Sequence, residues 1–166
     1  MPPRLYLMLS QHVGAPARPV VLVGQKVLKG ELIAAAQGNI SAPLHAPTSG
    51  VISAVSEIAA PHASGLPAMA IAIDADGEDR WIDSERPNDP YALAPADIAN
   101  RVAAAGVVGL GGATFPSSVK LNLGRRSSID TLIINGSECE PYLSCDDRLM
   151  RDRAAEIVSG IRLMLT

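Results

Sequence analysis

The sequence predicts a mixed α+β chain, with a small β-sandwich or barrel first and an incomplete α/β unit after it. Three observations predict this. Residues 4–75 hold short apolar, β-branched runs separated by Gly and Pro turns, the pattern of a sandwich or barrel. Residues 95–105 and 147–165 instead repeat apolar side chains at helical spacing. Between those helical stretches lie a glycine-dense turn, Gly106 to Pro116, and a short apolar run, Ile129 to Ile134, which reads as a buried strand.

Composition narrows what such a chain can be. With 166 residues it makes one ordinary domain or two small ones. Hydrophobic residues are 48% but aromatics only 3%, so the core must be built from Val, Ile, Leu and Ala. The net charge of −3 argues against a nucleic-acid surface, which needs a basic patch. No run reaches the roughly 18 apolar residues of a membrane helix. Leu5 to Leu9 is too short for a signal sequence and lacks a small-residue cleavage site, so a soluble chain on the cytoplasmic side is expected. Cys139 and Cys145 share one loop, with neither a zinc spacing nor a cysteine-rich cluster run. They are expected to stay free thiols that bind no cluster.

In the β half, Val20 to Ala34 supplies short strands broken at Gly24 and Gly30. Ser41 to Val55 gives a Pro-rich turn and a further strand, and Ala68 to Ile73 a last one, stopped at Asp74-Ala-Asp-Gly77. From Trp81 to Pro95 the chain is polar and proline-rich, a linker or a loop wrapping the sandwich; Trp81 is expected to pack under it. Pro95 opens a helix whose face is Ile98, Val102 and Ala105, ended by Gly106 in the usual C′ position. Asp146 or Asp147 is placed to cap a second helix. Its stripe is Met150, Ala154, Ile157, Val158, Ile161 and Leu165. That stripe runs to the end of the chain without a stop signal, as in a truncated protein.

The chemistry concentrates between Gly106 and Arg148. Four glycines in Gly106 to Gly112 allow a sharp turn and close approach of a ligand to the backbone. Exposed amides in such a turn form an anion cradle. The Ile129 to Ile134 strand delivers Asn135-Gly-Ser-Glu-Cys-Glu-Pro-Tyr142 at its carboxyl end, where ligands sit in open α/β sheets. These residues alone imply an anionic ligand, of which a nucleotide is one. Glu138 and Glu140 taken alone are more often solvated acids or helix-capping groups, Lys120 an ordinary surface lysine, and the glycines a helix–strand packing turn. His12, His45 and His62 have no ligand spacing, and no metal ligand is assigned.

Two resemblances extend this reading. "VGQKVLKGELIA" with "APTSGVISAV" resembles the biotinyl/lipoyl carrier fold, a barrel-sandwich hybrid. Carriers modify a lysine on the hairpin ahead of the second motif, but Gly38 to His45 contains none. The fold is therefore expected as a scaffold and not as a swinging arm. "QHVGAPARP", "HAPTSGVISAV", "IDADGEDRW", "GVVGLGGATFP" and "LIINGSECEPYLSCDDRLM" together resemble the RnfC component of the Rnf-type ion-translocating electron-transport complex, from about Gln11 to the end. The last two motifs are also similar to the flavoprotein of respiratory complex I.

The resemblance implies residues 1–78 as the carrier-like β-domain, 79–94 as a linker and 95–166 as the first part of an FMN- and NADH-binding α/β domain. It further implies a peripheral subunit on the cytoplasmic face of the bacterial inner membrane. That subunit would exchange hydride between NADH and FMN and pass electrons to two 4Fe-4S clusters outside this chain. The implied partners are the other subunits of the complex and a ferredoxin-type protein. Carried over by position, Gly109, Gly111, Gly112 and Ala113 match the turn against the flavin. Phe115 matches an aromatic near the dinucleotide, Lys120 a basic flavin contact and Asn135 a flavin contact. Glu138 and Glu140 match acids where the nicotinamide arrives. No side chain is implied as acid, base or nucleophile. Thr114 departs from the family's glycine, harmless if its φ is negative and obstructive otherwise. The rival reading is a docking module with a non-functional nucleotide site.

Overall fold

Seven strands and four helices are seen in the computed structural model, which describes residues 1–110, 114–121 and 131–165. The strands are β1 Arg4–Met8, β2 Arg18–Pro19, β3 Lys26–Val27, β4 Leu32–Ala35, β5 Leu44–His45, β6 Gly50–Ala59 and β7 Pro67–Ala75. They form two antiparallel sheets, ordered β1-β7-β6-β3 and β2-β4-β5. The sheets enclose a core of Leu9, Val21, Val27, Ile33, Ile52, Ile71 and Ile73, filled in by Ala17, Ala34 and Ala46. This is the aliphatic, aromatic-free interior that composition requires. The period-2 alternation of β7 sends Ile71 and Ile73 into this core, while Ala70 and Ala72 lie on the opposite face of the strand.

The Thr48-Ser49-Gly50 corner explains its own sequence. A Cβ on Gly50 would lie 2.1 Å from the Asp74 carbonyl oxygen, so only glycine lets β6 start against β7. Ser49 is fully buried; its hydroxyl donates to Asp76 Oδ1 (2.7 Å) and accepts from the Arg80 amide (2.9 Å).

The segment corresponding to a carrier's modified hairpin, residues 38–45, is tied down. Ile40 carbonyl accepts from the Ala15 amide (3.0 Å), and the Ser41 hydroxyl donates to Ala15 carbonyl (2.9 Å). Buried His12 accepts the Ala42 amide at Nε2 (3.1 Å), with Nδ1 3.1 Å from the Val13 carbonyl. That network assigns the proton to Nδ1.

Residues 79–82 remain attached to the sandwich. Trp81 bridges to Lys29, and the Ile82 amide donates to the Lys29 carbonyl (3.0 Å). Trp81 does not pack under the loop as expected. Its ring is 65% exposed, lies against Gly30 and sits beneath Lys29 Nζ at 4.9 Å. Further along, the Tyr91 hydroxyl is 2.6 Å from Ser159 Oγ, with the Arg162 guanidinium 4.7 Å over the ring. The proline-rich segment thus leans on the C-terminal helix as well as on the sandwich.

Helices α1 (Pro95–Ala104), α2 (Ser117–Leu121), α3 (Cys145–Asp152) and α4 (Ala154–Met164) make up the second half. Helix α1 ends in a Schellman motif: the Gly106 amide donates to Ala103 and the Val107 amide to Val102. Gly106 has φ +68, and a Cβ there would lie 2.5 Å from the Pro43 carbonyl oxygen. Glycine is thus required both by the turn and by the contact of α1 with the sandwich.

Three further expectations differ from the structure. Among the α1 residues it is Ala99 that is buried, while Ala105 is exposed beyond the helix end. The C-terminal stripe is split at Arg153, where φ −125 and ψ 28 close α3 and open α4; Met150, Val158 and Leu165 are 41%, 54% and 65% exposed. Residues 131–134 form no strand, and Ile133 is 83% exposed; Ile129 and Asp130 lie outside the described residues. A strand acquires its ladder only from a neighbour, and no described strand lies alongside.

Candidate functional site

The glycine-rich segment is closed at its base. After Gly106 reverses the chain, Val108 bridges antiparallel to buried Pro116. The Gly109 amide donates to the Phe115 carbonyl (2.9 Å) and the Ser117 amide to the Val107 carbonyl (2.9 Å). This base, residues 107–109 against 115–117, leads directly into α2. Gly111, Gly112 and Ala113 lie outside the described residues. Gly109 is brought to the site, but its amide is already bonded to Phe115, so it is not one of the free donors that the sequence suggests. Leu110 is 85% exposed at the loop's start.

Thr114 closes the tip at φ +49. The condition for a harmless departure, a negative φ, is not met, and a β-branched residue in the left-handed region is strained. Phe115 and Lys120 are brought together, with Lys120 Nζ 6.0 Å from the Phe115 ring centroid. Lys120 is exposed on α2 and Phe115 half-buried.

The acidic segment is arranged differently from its sequence appearance. Asn135 Oδ1 accepts the Ser137 amide (2.9 Å), an Asx turn. Gly136 lies against Met150 of α3, whose Sδ would stand 2.8 Å from an added Cβ. Glu138, half-buried, turns back onto the start of α3. Its Oε1 accepts the Asp146 amide (2.8 Å) and the Asp147 amide (3.0 Å), and its Oε2 accepts the Cys145 thiol (3.2 Å). The helix cap is therefore Glu138 and not Asp146 or Asp147, and Ser144 at the N-cap position makes no side-chain cap bond. These bonds, that from Asp147 foremost, hold the Glu138 carboxyl below its ordinary range, while Glu138 pushes the Cys145 thiol up.

Glu140 is exposed at the turn that follows, where the Leu143 amide reaches its carbonyl (3.4 Å) and Tyr142 stands fully exposed at φ +66. Tyr142 is a site-loop feature absent from the sequence-based assignment; its backbone conformation has no sequence signal in a tyrosine. Glu138, Cys145 and Asp146 bring ligand-type atoms within 4.8 Å of one another, but the Glu138 oxygens are already engaged. A separate cavity of about 410 Å³ lies on the sandwich between Lys26, Val51, Asp76, Glu78 and Arg80. Its Arg80 is paired with Asp76 (3.1 Å) and Glu78 (2.7 Å).

Compared with known proteins, residues 1–78 match the RnfC barrel sandwich hybrid domain, and residues 102–166 match the Nuo51 FMN-binding domain. The C component of the ion-translocating oxidoreductase complex of Rhodobacter capsulatus is 58% identical over 99% of this chain and 32% of its own length. The chain belongs to the RnfC family. The protein of the same description from Pseudomonas aeruginosa is 51% identical over 98% of this chain and 21% of its own length, and that from Salmonella gallinarum 47% over 98% and 24%. The chain thus spans a third or less of these relatives. The expected mixed α+β chain, a carrier-like sandwich followed by the first part of an FMN-binding unit, agrees with these two domain matches; the second unit, expected as α/β, is helical among the described residues. Among the described residues no helix is long and apolar enough to cross a membrane.

Proposed function

We propose that this chain contributes part of the NADH- and FMN-handling site of an ion-translocating oxidoreductase, in an electron-transfer subunit. The observation that carries this is the closed glycine loop, which brings Phe115 and Lys120 together at its foot within the segment matching the Nuo51 FMN-binding domain. The residues fit a flavin phosphate in kind: an exposed ammonium at Lys120, an aromatic ring beside it, and a turn whose glycines keep Cβ atoms out of the approach. When bound, FMN supplies hydride chemistry with NADH and transfers electrons onward singly. Lys120 balances anionic charge, the loop 109–113 and Asn135 orient the flavin, and the 138–140 loop borders the arriving nicotinamide. Residues 1–78 form the sandwich domain, 79–94 the linker and 95–166 the first part of the FMN domain. The two 4Fe-4S clusters and the contacts with a ferredoxin-type partner belong to chain outside residues 1–166. Other subunits of the complex hold the assembly at the cytoplasmic face of the inner membrane.

Flavin content and NADH-dependent flavin bleaching of the complete natural polypeptide test this reading. A protein that is folded, flavin-free after reconstitution and silent to NADH would refute it. A docking role without a working nucleotide site is favoured by one observation, the left-handed Thr114 at the loop tip. It predicts normal assembly and normal electron flux in a Lys120→Ala/Glu140→Gln double variant.

A further inference from the structure

The two acids of the Glu138-Cys-Glu140 segment do different work. Glu138 reaches across seven to nine residues to three groups at the start of α3, two of them backbone amides bonded to one oxygen, Oε1. Residues 139–144 are thereby closed into a loop with Glu138 at one end and Cys145 at the other. The preceding residues are held in shape by the Asn135 Asx turn and meet the same helix through the contact of Gly136 with Met150. Glu140 and Tyr142 ride on that loop, exposed, and Glu140 makes no hydrogen bond through its side chain among the described residues.

We propose that Glu138 is a positioning residue: it clamps the 139–144 loop onto α3 through the Asp146 and Asp147 amides, and this clamp sets where the loop meets an incoming dinucleotide. The inference rests on the NADH-linked reading above. It requires the reach of the side chain and the acceptor oxygen, and not the negative charge. A glutamine keeps a carbonyl oxygen at the same distance for both amides. An aspartate keeps the charge but is one methylene too short.

Those two substitutions separate the roles. In the complete natural polypeptide, Glu138→Asp should speed deuterium uptake in the peptide that begins α3 by about tenfold, the size of a lost helix cap. It should raise KM for NADH by a similar factor, with kcat and flavin content little changed. Glu138→Gln should stay within about threefold of the parent in both measurements. The opposite order, glutamine impaired and aspartate normal, would mean that Glu138 acts through its charge on the ligand and would overturn the clamp. Faster uptake in Glu138→Asp with an unchanged KM would also overturn it, because the loop would then be fixed without effect on binding. A parent protein whose flavin does not respond to NADH refutes the functional reading itself and takes this inference with it, an outcome visible before any variant is made.

Discussion

Replacing Thr114 by glycine should stabilise the protein, although it removes a half-buried side chain. At φ +49 the threonine Cβ crowds the neighbouring carbonyl, at a cost of about 1–2 kcal/mol for a non-glycine residue in the left-handed region. Branching at Cβ adds to the crowding by restricting χ1. Glycine removes that strain but gains freedom in the unfolded chain, which returns about 0.5–1 kcal/mol. The net gain is between zero and about 1.5 kcal/mol, or up to roughly 3–6 °C in the thermal transition of a chain this size. Circular dichroism melts of the parent, Thr114→Gly and Thr114→Val measure it. Valine keeps the shape and the branch, so it should melt at or slightly below the parent temperature. A fall of more than about 2 °C in Thr114→Gly with a neutral Thr114→Val would refute the reasoning, because side-chain packing at the loop tip would then outweigh backbone strain.

Gly106→Ala should destabilise by at least about 2 kcal/mol, combining left-handed strain with a Cβ set 2.5 Å from the Pro43 carbonyl oxygen; urea titration would detect this. His45 gives a pH dependence: burial holds its ring below the ordinary value, against a contact with the Ala104 carbonyl that acts the other way. The folded state favours neutral imidazole, so this contribution is complete above about pH 6.5 and is lost as pH falls below it. Melts between pH 7 and pH 5 should therefore flatten in His45→Gln. Cys145 should react faster with iodoacetamide near neutral pH in Glu138→Gln, since the carboxylate that holds the thiol protonated is gone; an unchanged rate would contradict the thiol–carboxylate contact. FMN should bind residues 1–166 alone only weakly, as loss of even two contacts of about 1.4 kcal/mol each weakens binding roughly a hundredfold. Sub-micromolar affinity by fluorescence titration would show that these residues suffice.

The sandwich was legible because its signals are local. Gly24 and Gly30 punctuate short β-branched runs, and the Ile71/Ile73 alternation identifies an inward face from three or four residues. Gly106 was legible for the same reason, since a glycine after a helical repeat has one common use. The acidic segment was legible only in part: helix capping was one reading of Glu138 and Glu140, but which of them caps could not be read. Sequence capping signals place the cap within three residues of the helix start, whereas Glu138 caps from seven residues before Cys145. Which of two acids turns inward then depends on the path of the intervening loop. The strand predicted at 129–134 failed for a related reason: an apolar run supplies side chains for a sheet but not the neighbouring strands. Beyond residue 78 only Ala99 and Pro116 are buried among the described residues, so helical spacing there identified apolar stripes without identifying what covers them. The left-handed backbone at Thr114 and Tyr142 could not be read from residue types that normally avoid it.

The lysine-free hairpin and the attachment of the second half are one structural fact. A carrier's modified lysine needs a hairpin free to present it, and here the corresponding residues are bonded to the loop around His12 and Ala15. The end of this hairpin, Pro43 to His45, meets the last turn of α1: Pro43 faces Gly106 and His45 faces Ala104. Gly106 in turn reverses the chain into Val107 and Val108, which close the base of the glycine loop. A shift of the hairpin would therefore move the C-terminus of α1 and, two residues later, the strand-like base that holds Gly109 against Phe115. Rigidity of the sandwich is in this way transmitted to the loop that bears the flavin-type residues, through backbone contacts at Pro43, Ala104 and Gly106 that tolerate no added Cβ at the glycine.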